Sequence, residues 1–288
     1  MVGASMTSTA QLTPTQIRDL ARRHGFRPSK ALGQNFVVDP NTIRRIVRLA
    51  SLQPGDRILE VGAGVGTLTV ALAHEAAWVT AVEIDRRLLP ALEEVLGGLG
   101  NVTVVAGDAM ELDFGSVLGG VRTRLVSNLP YNIATPLLAR LLAERPEIDD
   151  FLVMVQREVG ERLAAAPGSK AYGAVSVLVA YHGAASVLGA VPRTVFWPQP
   201  AVDSVLVRLV RRPAEVSIAP APLMRVVHAA FGQRRKMARN ALSSGLSLAP
   251  EVVEAALAAA GLEPSARAET LGLEEFARLT EALQGSRP

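Results

Sequence analysis

From residue 57 onward, short apolar runs alternate with helical stretches, and this alternation limits the fold more than any other feature of the chain. Arg57–Val61 is a short apolar run, followed by a Gly-rich turn and the helical stretch Thr67–His74. Trp78–Glu83 reads as a second strand with a helix near Arg86–Leu96 after it. Val102–Val105, Arg124–Ser127 and Phe151–Gln156 read as further strands, with helices over Ala134–Leu142 and Arg157–Ala165. Consecutive strands separated by helices lie parallel, and a parallel sheet needs both faces covered. A late strand is expected at Asp203–Val210, and after Pro213 the strand signal stops. Pro222–Phe231, Arg234–Leu242, Glu251–Ala260 and Leu273–Leu283 all read as helices. The fold class is therefore α/β, a Rossmann-like sheet with a small all-helical C-terminal part. The expected divisions are a basic arm over 1–30, the sheet domain over 31–212 and the helical domain over 213–288.

One stretch competes with this reading. Ala171–Val191 lacks Asp, Glu, Lys and Arg for 21 residues, long enough for a membrane span. It holds His182, two Tyr and several Gly and Ser, and its pattern divides at Gly183. A buried helix followed by a strand is the better expectation. Residues 1–13 have no basic n-region and no apolar core, so they do not read as a signal peptide. A cytoplasmic protein is expected.

Composition narrows the chemistry. The 288 residues include no cysteine, which excludes disulfides, a cysteine nucleophile, iron–sulfur clusters and cysteine-ligated zinc. His24, His74, His182 and His228 show no paired ligand spacing, so no metal is expected. The net charge of +3 conceals a division along the chain. Residues 1–50 carry +6, 51–150 carry −7, 151–250 carry +8 and 251–288 carry −4. Two basic blocks around an acidic one suit a chain that meets a polyanion.

Three strand ends carry a common signal. Glu60-Val61-Gly62-Ala63-Gly64-Val65-Gly66-Thr67 follows the first buried strand. Glycines there let the backbone pass close to a ligand beyond the carboxyl end of the sheet. The dinucleotide spacing is absent, because Thr67 stands where a third glycine is required. Glu83-Ile84-Asp85 closes the second strand, where a carboxylate can accept both ribose hydroxyls. Gly107-Asp108-Ala109 closes the third, and Asp108 is placed to accept from an adenine amine. Each acid alone fits a helix cap. Together they favour a nucleoside-bearing cofactor.

The fourth strand ends in Asn128-Leu129-Pro130-Tyr131. This run resembles the (Asn/Asp)-Pro-Pro-Tyr element of methyltransferases acting on exocyclic amino groups, and that resemblance implies an amine such as adenine's as the methyl acceptor. An adenine amine is a weak nucleophile because its lone pair is delocalised into the ring. The Asn128 side-chain oxygen and the Leu129 carbonyl can both accept from that amine and favour a pyramidal nitrogen. This is positioning and electrostatic preorganisation, with no strong base required. Pro130 stiffens the loop, and Tyr131 offers a ring for base stacking.

The Glu60–Thr67 run resembles the first motif of S-adenosylmethionine-dependent methyltransferases. Asn-Leu-Pro-Tyr resembles the element found in those that act on exocyclic amines. Further matches are Leu32-Gly33-Gln34-Asn35-Phe36, Gln156-Arg157-Glu158-Val159, Ser169-Lys170-Ala171-Tyr172-Gly173 and Phe196-Trp197-Pro198-Gln199-Pro200-Ala201-Val202-Asp203-Ser204. Phe231-Gly232-Gln233-Arg234-Arg235-Lys236, with Arg239-Asn240 and Arg267-Ala268-Glu269, extends them through the helical part. From about Lys30 to Leu283 the chain resembles the ribosomal RNA adenine dimethyltransferases, KsgA/RsmA type.

That resemblance implies S-adenosyl-L-methionine as cofactor, contacted by Asn35, Val37, Gly62, Gly64, Glu83, Asp108 and Asn128. Residue 37 is Val where the family commonly has Leu, and Gly232 replaces a common Asn. It implies Asn128, Leu129, Pro130 and Tyr131 as the catalytic loop, with Phe196 closing on the target base opposite Tyr131. The implied reaction is N6,N6-dimethylation of two adjacent adenosines in the 3′-terminal hairpin loop of 16S rRNA. The implied partner is small-subunit rRNA in a pre-30S particle, with the enzyme a monomer and neither membrane nor metal involved. Arg27, Lys30, Arg234, Arg235, Lys236 and Arg239 are the expected RNA contacts. At i, i+1, i+2 and i+5 the last four cannot all share one helical face. Three alternatives stand beside this reading. They are an Erm-type large-subunit enzyme, a non-catalytic assembly factor and a DNA adenine methyltransferase, although no separate sequence-reading domain for the last is visible.

Overall fold

The structure, a computed structural model, describes residues 12–233 and 236–285. Its first elements are α1 (Pro14–Arg23), β1 (Phe36–Val37), α2 (Pro40–Ala50), β2 (Arg57–Val61), α3 (Thr67–Ala73), β3 (Trp78–Glu83) and α4 (Leu89–Leu96). Then come β4 (Val102–Ala106), α5 (Phe114–Leu118), β5 (Thr123–Asn128), α6 (Ala134–Glu144), β6 (Ile148–Gln156), α7 (Arg157–Leu163) and α8 (Ala174–His182). β7 (Gly183–Val191), β8 (Phe196–Trp197) and β9 (Ser204–Arg211) complete the strands. α9 (Pro220–Phe231), α10 (Ala238–Leu246), α11 (Pro250–Ala259) and α12 (Leu273–Gly285) follow. The sequence-predicted strands and helices have counterparts among the described residues, except that the helix expected from Arg234 begins only at Ala238, past Lys236. The uncharged stretch 171–191 divides at Gly183 into a helix and a strand. No helix among the described residues is long and apolar enough to cross a membrane.

Seven strands form one sheet in the order β4-β3-β2-β5-β6-β9-β7. β2 pairs in parallel with β3 and with β5, β3 with β4, and β5 with β6. The chain builds outward from β2 through β3 to β4, then returns to the other side of β2 with β5. Strand order therefore reverses between β2 and β5, and a crevice opens at their carboxyl ends. β1 and β8 make a separate antiparallel pair, with Phe36 opposite Trp197 and Val37 opposite Phe196.

The compact units differ from the three expected segments. One unit takes the described residues up to Leu137 with Glu147–Arg157 and Leu188–Arg208. The other takes Leu138–Pro146, Glu158–Val187 and the described residues from Leu209 on. The break expected after residue 212 falls inside the second unit, because the chain passes between units several times. The expected arm over 1–30 is, in its described part, a core element of the first unit. Thr13 caps α1 by accepting from the Gln16 amide, and Gln16 accepts in return from the Thr13 amide. Ile17, Leu20, Ala21 and Phe26 are then buried with Phe36, Val65, Leu88 and Ala91. Those apolar positions at i, i+3 and i+4 make α1 a packing helix whose arginines face outward. A core of the first unit joins α2 and α3 to the sheet through Ile43, Ile46, Leu68, Leu72, Ile58 and Val126. The second unit has its own core, with Tyr172, Val177, Leu223, Val227, Leu242, Leu257 and Phe276.

Candidate active site

A pocket of about 200 Å³ opens at the strand reversal within the first unit. Its wall carries Gly62 and Gly64 after β2, Glu83 and Ile84 after β3, Gly107 and Asp108 after β4, and Asn128 to Tyr131 after β5. The segment Leu32–Phe36 closes another side. Four strand ends thus converge as the sequence predicts.

The turn after β2 explains its own glycines. Gly62 has φ +82° and Gly64 has φ +61°, both in the left-handed region. A Cβ on Gly62 would lie 3.0 Å from Pro130 Cγ and Cδ, and one on Gly64 would lie 2.9 Å from the Phe36 ring. The glycines therefore let the turn, the Asn-Leu-Pro-Tyr loop and the 32–36 segment close on one another. Ser127 locks β5 to β2 beside them, donating to the Val61 carbonyl at 2.6 Å and accepting from the Val61 amide.

The acids divide the work. Glu83 is buried, and its carboxylate accepts from the Gly64 and Asp85 amides at 2.8 Å each. Burial pushes its pKa above the ordinary carboxylate range and the Asp85 charge adds to this, while amide donors pull the other way. Asp85 accepts two bonds from the Arg87 guanidinium at 2.8 and 2.7 Å, one from the Arg87 amide at 3.1 Å and one from Gln34 at 3.0 Å. Arg87, with Gln34, holds its carboxyl below the usual range. Asp85 therefore anchors the 32–36 segment. Asp108 accepts from the Met110 amide at 2.8 Å and keeps its place on the pocket wall. Behind the wall, Glu60 is fully buried, and burial pushes its carboxyl up to about 8, with the Glu83 charge contributing.

Asn128 supplies the decisive geometry. Its Nδ2 donates to the Asn35 carbonyl at 3.0 Å. That bond fixes the amide, because a carbonyl can only be met by the NH₂ end. The Oδ1 is left buried without a hydrogen-bond partner, in a residue on the pocket wall. A buried acceptor without a donor costs about 1–3 kcal/mol, so this atom is set to receive one. Asn35, itself held by Nδ2 donation to the Gly33 carbonyl, orients Asn128 through its backbone. Leu129 is fixed by its amide donating to Met154, and the Pro130 carbonyl accepts from the Ile133 and Ala134 amides. The Tyr131 hydroxyl and Ser204 Oγ are 2.6 Å apart, and burial raises the phenol's pKa.

Two expected site residues lie elsewhere. Val37 and Phe196 pair across the two-stranded ladder, and both are buried in the core with Met154 and Leu206. Neither is on the pocket wall. The Phe196 ring packs in the core, where its apolar neighbours hold it. Arg27 and Lys30 are exposed in the first unit, and Lys236 is exposed in the second. Arg239 forms an ion pair with Glu254, a fold contact. Arg234 and Arg235 lie outside the described residues. Among the described residues no group of three or more His, Asp or Glu is placed to hold a metal ion.

Sequence reasoning missed Phe36, Ile84 and Ser204. Ile84 is a large apolar side chain left 42% exposed on the pocket wall. Its position between two acids was the available signal. The carboxylates, the orphaned amide oxygen and an apolar face together suit a ligand with hydroxyl and amine donors around a flat ring.

Comparisons with known proteins agree with this geometry. A family model described as "Ribosomal RNA adenine dimethylase" matches residues 25–285. "Ribosomal RNA small subunit methyltransferase A" of Thermobifida fusca is 49% identical over 276 residues, covering 94% of this chain and 95% of the relative. The protein of the same name from Moorella thermoacetica is 46% identical over 283 residues, covering 94% and 98%. Among solved structures, a dimethyladenosine transferase from Plasmodium falciparum superposes with TM-score 0.73 at 23% identity, covering 86% of this chain and 97% of that one. The 23S rRNA methyltransferase ErmE superposes with TM-score 0.65 at 29% identity, covering 87% and 100%.

Proposed function

The chain belongs to the ribosomal RNA adenine dimethylase family, and we propose that it dimethylates N6 of two adjacent adenosines in the 3′-terminal hairpin loop of 16S rRNA, using S-adenosylmethionine. The observation that carries this reading is the orphaned Asn128 Oδ1 at the end of β5. An amine donor is what such an acceptor lacks, and the family's substrate presents one.

The residues on the wall fit the cofactor. Glu83 retains acceptor capacity for ribose hydroxyls beyond its two amide donors. Asp108 is placed for the adenine amine, Ile84 supplies an apolar face, and Gly62 keeps the turn clear of a side chain. S-adenosylmethionine supplies an electrophilic methyl group when bound. Asn128 Oδ1 and the Leu129 carbonyl accept from the target amine and localise its lone pair. Pro130 holds both acceptors at a fixed distance from the turn after β2. Tyr131, tethered to Ser204, presents its ring for stacking of the base. A looped adenosine is already partly unstacked, so extruding it costs a few kcal/mol or less. After the first transfer, the two acceptors share the one remaining N–H.

Small-subunit rRNA is favoured over large-subunit rRNA by the relatives. Identity is 46–49% to the small-subunit enzymes and 29% to ErmE. The reading includes a cytoplasmic setting and action of a single chain on a pre-30S particle. Arg27, Lys30 and Lys236 are the exposed cations offered to phosphate, with Arg234 and Arg235 proposed alongside them. Lys236→Glu should reduce the salt slope of rRNA binding by about one. The test of function uses unmethylated 30S and 50S subunits with labelled S-adenosylmethionine. Label in dimethyladenosine of the 30S subunit alone supports the reading, and label in the 50S subunit overturns it.

A further inference from the structure

A second cleft, of about 400 Å³, opens beside α1 in the first unit. Its apolar lining includes Phe26, Pro28 and Trp197, and its basic lining is Arg18, Arg22 and Arg27. Among the described residues no acidic one lines it. Arg22 is paired with Asp19 at 3.0 Å, while Arg18 and Arg27 make no ion pair among the described residues. Arg18 and Arg22 stand at i and i+4 on one face of α1, a like-charge arrangement that costs the helix a little.

Trp197 gives this cleft its character. The indole is half-buried and packs at 6.2 Å from the Phe36 ring. Phe36 in turn lines the active-site pocket. The two clefts are therefore separated by one aromatic side chain. Arg57 sits over the Trp78 ring at 5.8 Å, but no cation covers the Trp197 ring among the described residues. The chain has only twelve aromatic side chains, and three of them gather here, with Phe26 and Trp197 of the cleft both packing on Phe36 of the pocket.

We propose that this cleft is a nucleotide subsite for the substrate RNA, holding a residue that flanks the target adenosine. It rests on the reading of the chain as an rRNA methyltransferase. An indole offers a stacking face that any base fits, and unpaired guanidiniums beside it suit the adjoining phosphates. Arg18 and Arg27 supply the charge, and Trp197 supplies the platform. The Phe36 ring keeps the flanking base apart from the one entering beside Tyr131. The subsite reads shape and backbone, so it orients the loop without selecting a sequence.

The chain has two tryptophans, so Trp78→Phe leaves Trp197 as the only reporter. This protein is titrated with a hairpin RNA carrying the small-subunit 3′-terminal loop, and methyl transfer is followed on the same samples. The expected result is strong quenching of Trp197 emission and its protection from acrylamide on RNA binding. Trp197→Ala should weaken RNA binding about thirtyfold, the middle of the range for one stacked base. Trp197→Phe should recover most of it, with methyl-donor affinity unchanged in both. Arg18→Glu with Arg27→Glu should lower the salt slope by about two. RNA that is bound and methylated while Trp197 stays unquenched and open to acrylamide overturns the subsite but leaves the enzyme's function standing. Failure of the otherwise unaltered protein to methylate either subunit overturns the functional reading, and the subsite with it.

Discussion

Gly62→Ala perturbs the site at its tightest point. The residue has φ +82°, where a side chain costs about 1–2 kcal/mol. The new Cβ would also lie 3.0 Å from two Pro130 carbons, about half an ångström inside ordinary carbon contact. Pro130 has little freedom to withdraw. The Leu129 amide donates to Met154, the Pro130 carbonyl accepts from Ile133 and Ala134, and Tyr131 is tethered to Ser204. The loop must therefore shift as a body by about half an ångström. A misplacement of about 1 Å costs roughly 10²-fold in rate, so half of that should cost about tenfold. The expected outcome is a stability loss of about 2 kcal/mol in urea and a tenfold lower single-turnover methylation rate at saturating cofactor. Gly55→Ala is the control, since its Cβ would meet nothing within 4 Å. Full-rate turnover by Gly62→Ala at unchanged stability would refute the claim that this turn sets the loop's position.

Two further perturbations test the buried charges. The Arg124 guanidinium reaches Asp56 at 2.6 Å and Asp150 at 2.7 Å in a largely buried network. Arg124→Ala should cost about 3 kcal/mol, because Asp56 loses its close guanidinium while Asp150 keeps that of Arg208 at 2.8 Å, and a loss under about 1 kcal/mol in urea denaturation contradicts it. Glu60 has a carboxyl raised to about 8 in the fold. The folded state then binds a proton that the unfolded chain has released, so stability from this group falls as pH rises from the ordinary Glu range through about 8. Glu60→Gln should remove that decline, and an unchanged pH slope in denaturation between the two values would count against a neutral Glu60.

Much of the site was legible because strand ends are where sequence and position agree. Gly62, Glu83, Asp108 and Asn128 each close a run of apolar residues, and the parallel topology brings those ends together. Features made by contacts distant in sequence were not legible. Phe196 follows a loop in sequence, yet pairing with Val37 carries its ring into the core. The 1–30 segment reads as basic by composition, but Ile17, Leu20 and Phe26 make it part of a core. The helix expected from Arg86 starts at Leu89, because Asp85 accepts the Arg87 amide and holds residues 85–88 in a turn. The interleaved units have no compositional mark at all, since α6 and β9 each run across a unit boundary as continuous elements.

The role of Asn128 is tested most directly by Asn128→Ala in single-turnover methylation of unmethylated 30S subunits, with cofactor and rRNA affinities measured on the same protein. Removing Oδ1 takes away the acceptor that waits for the amine and leaves the carbonyls of Asn35 and Leu129 in place. Transfer slowed by about two orders of magnitude, the usual cost of one lost preorganised dipole, with rRNA affinity kept is the expected result. Turnover near the unaltered rate would contradict the assignment of Asn128 as the group that prepares the amine.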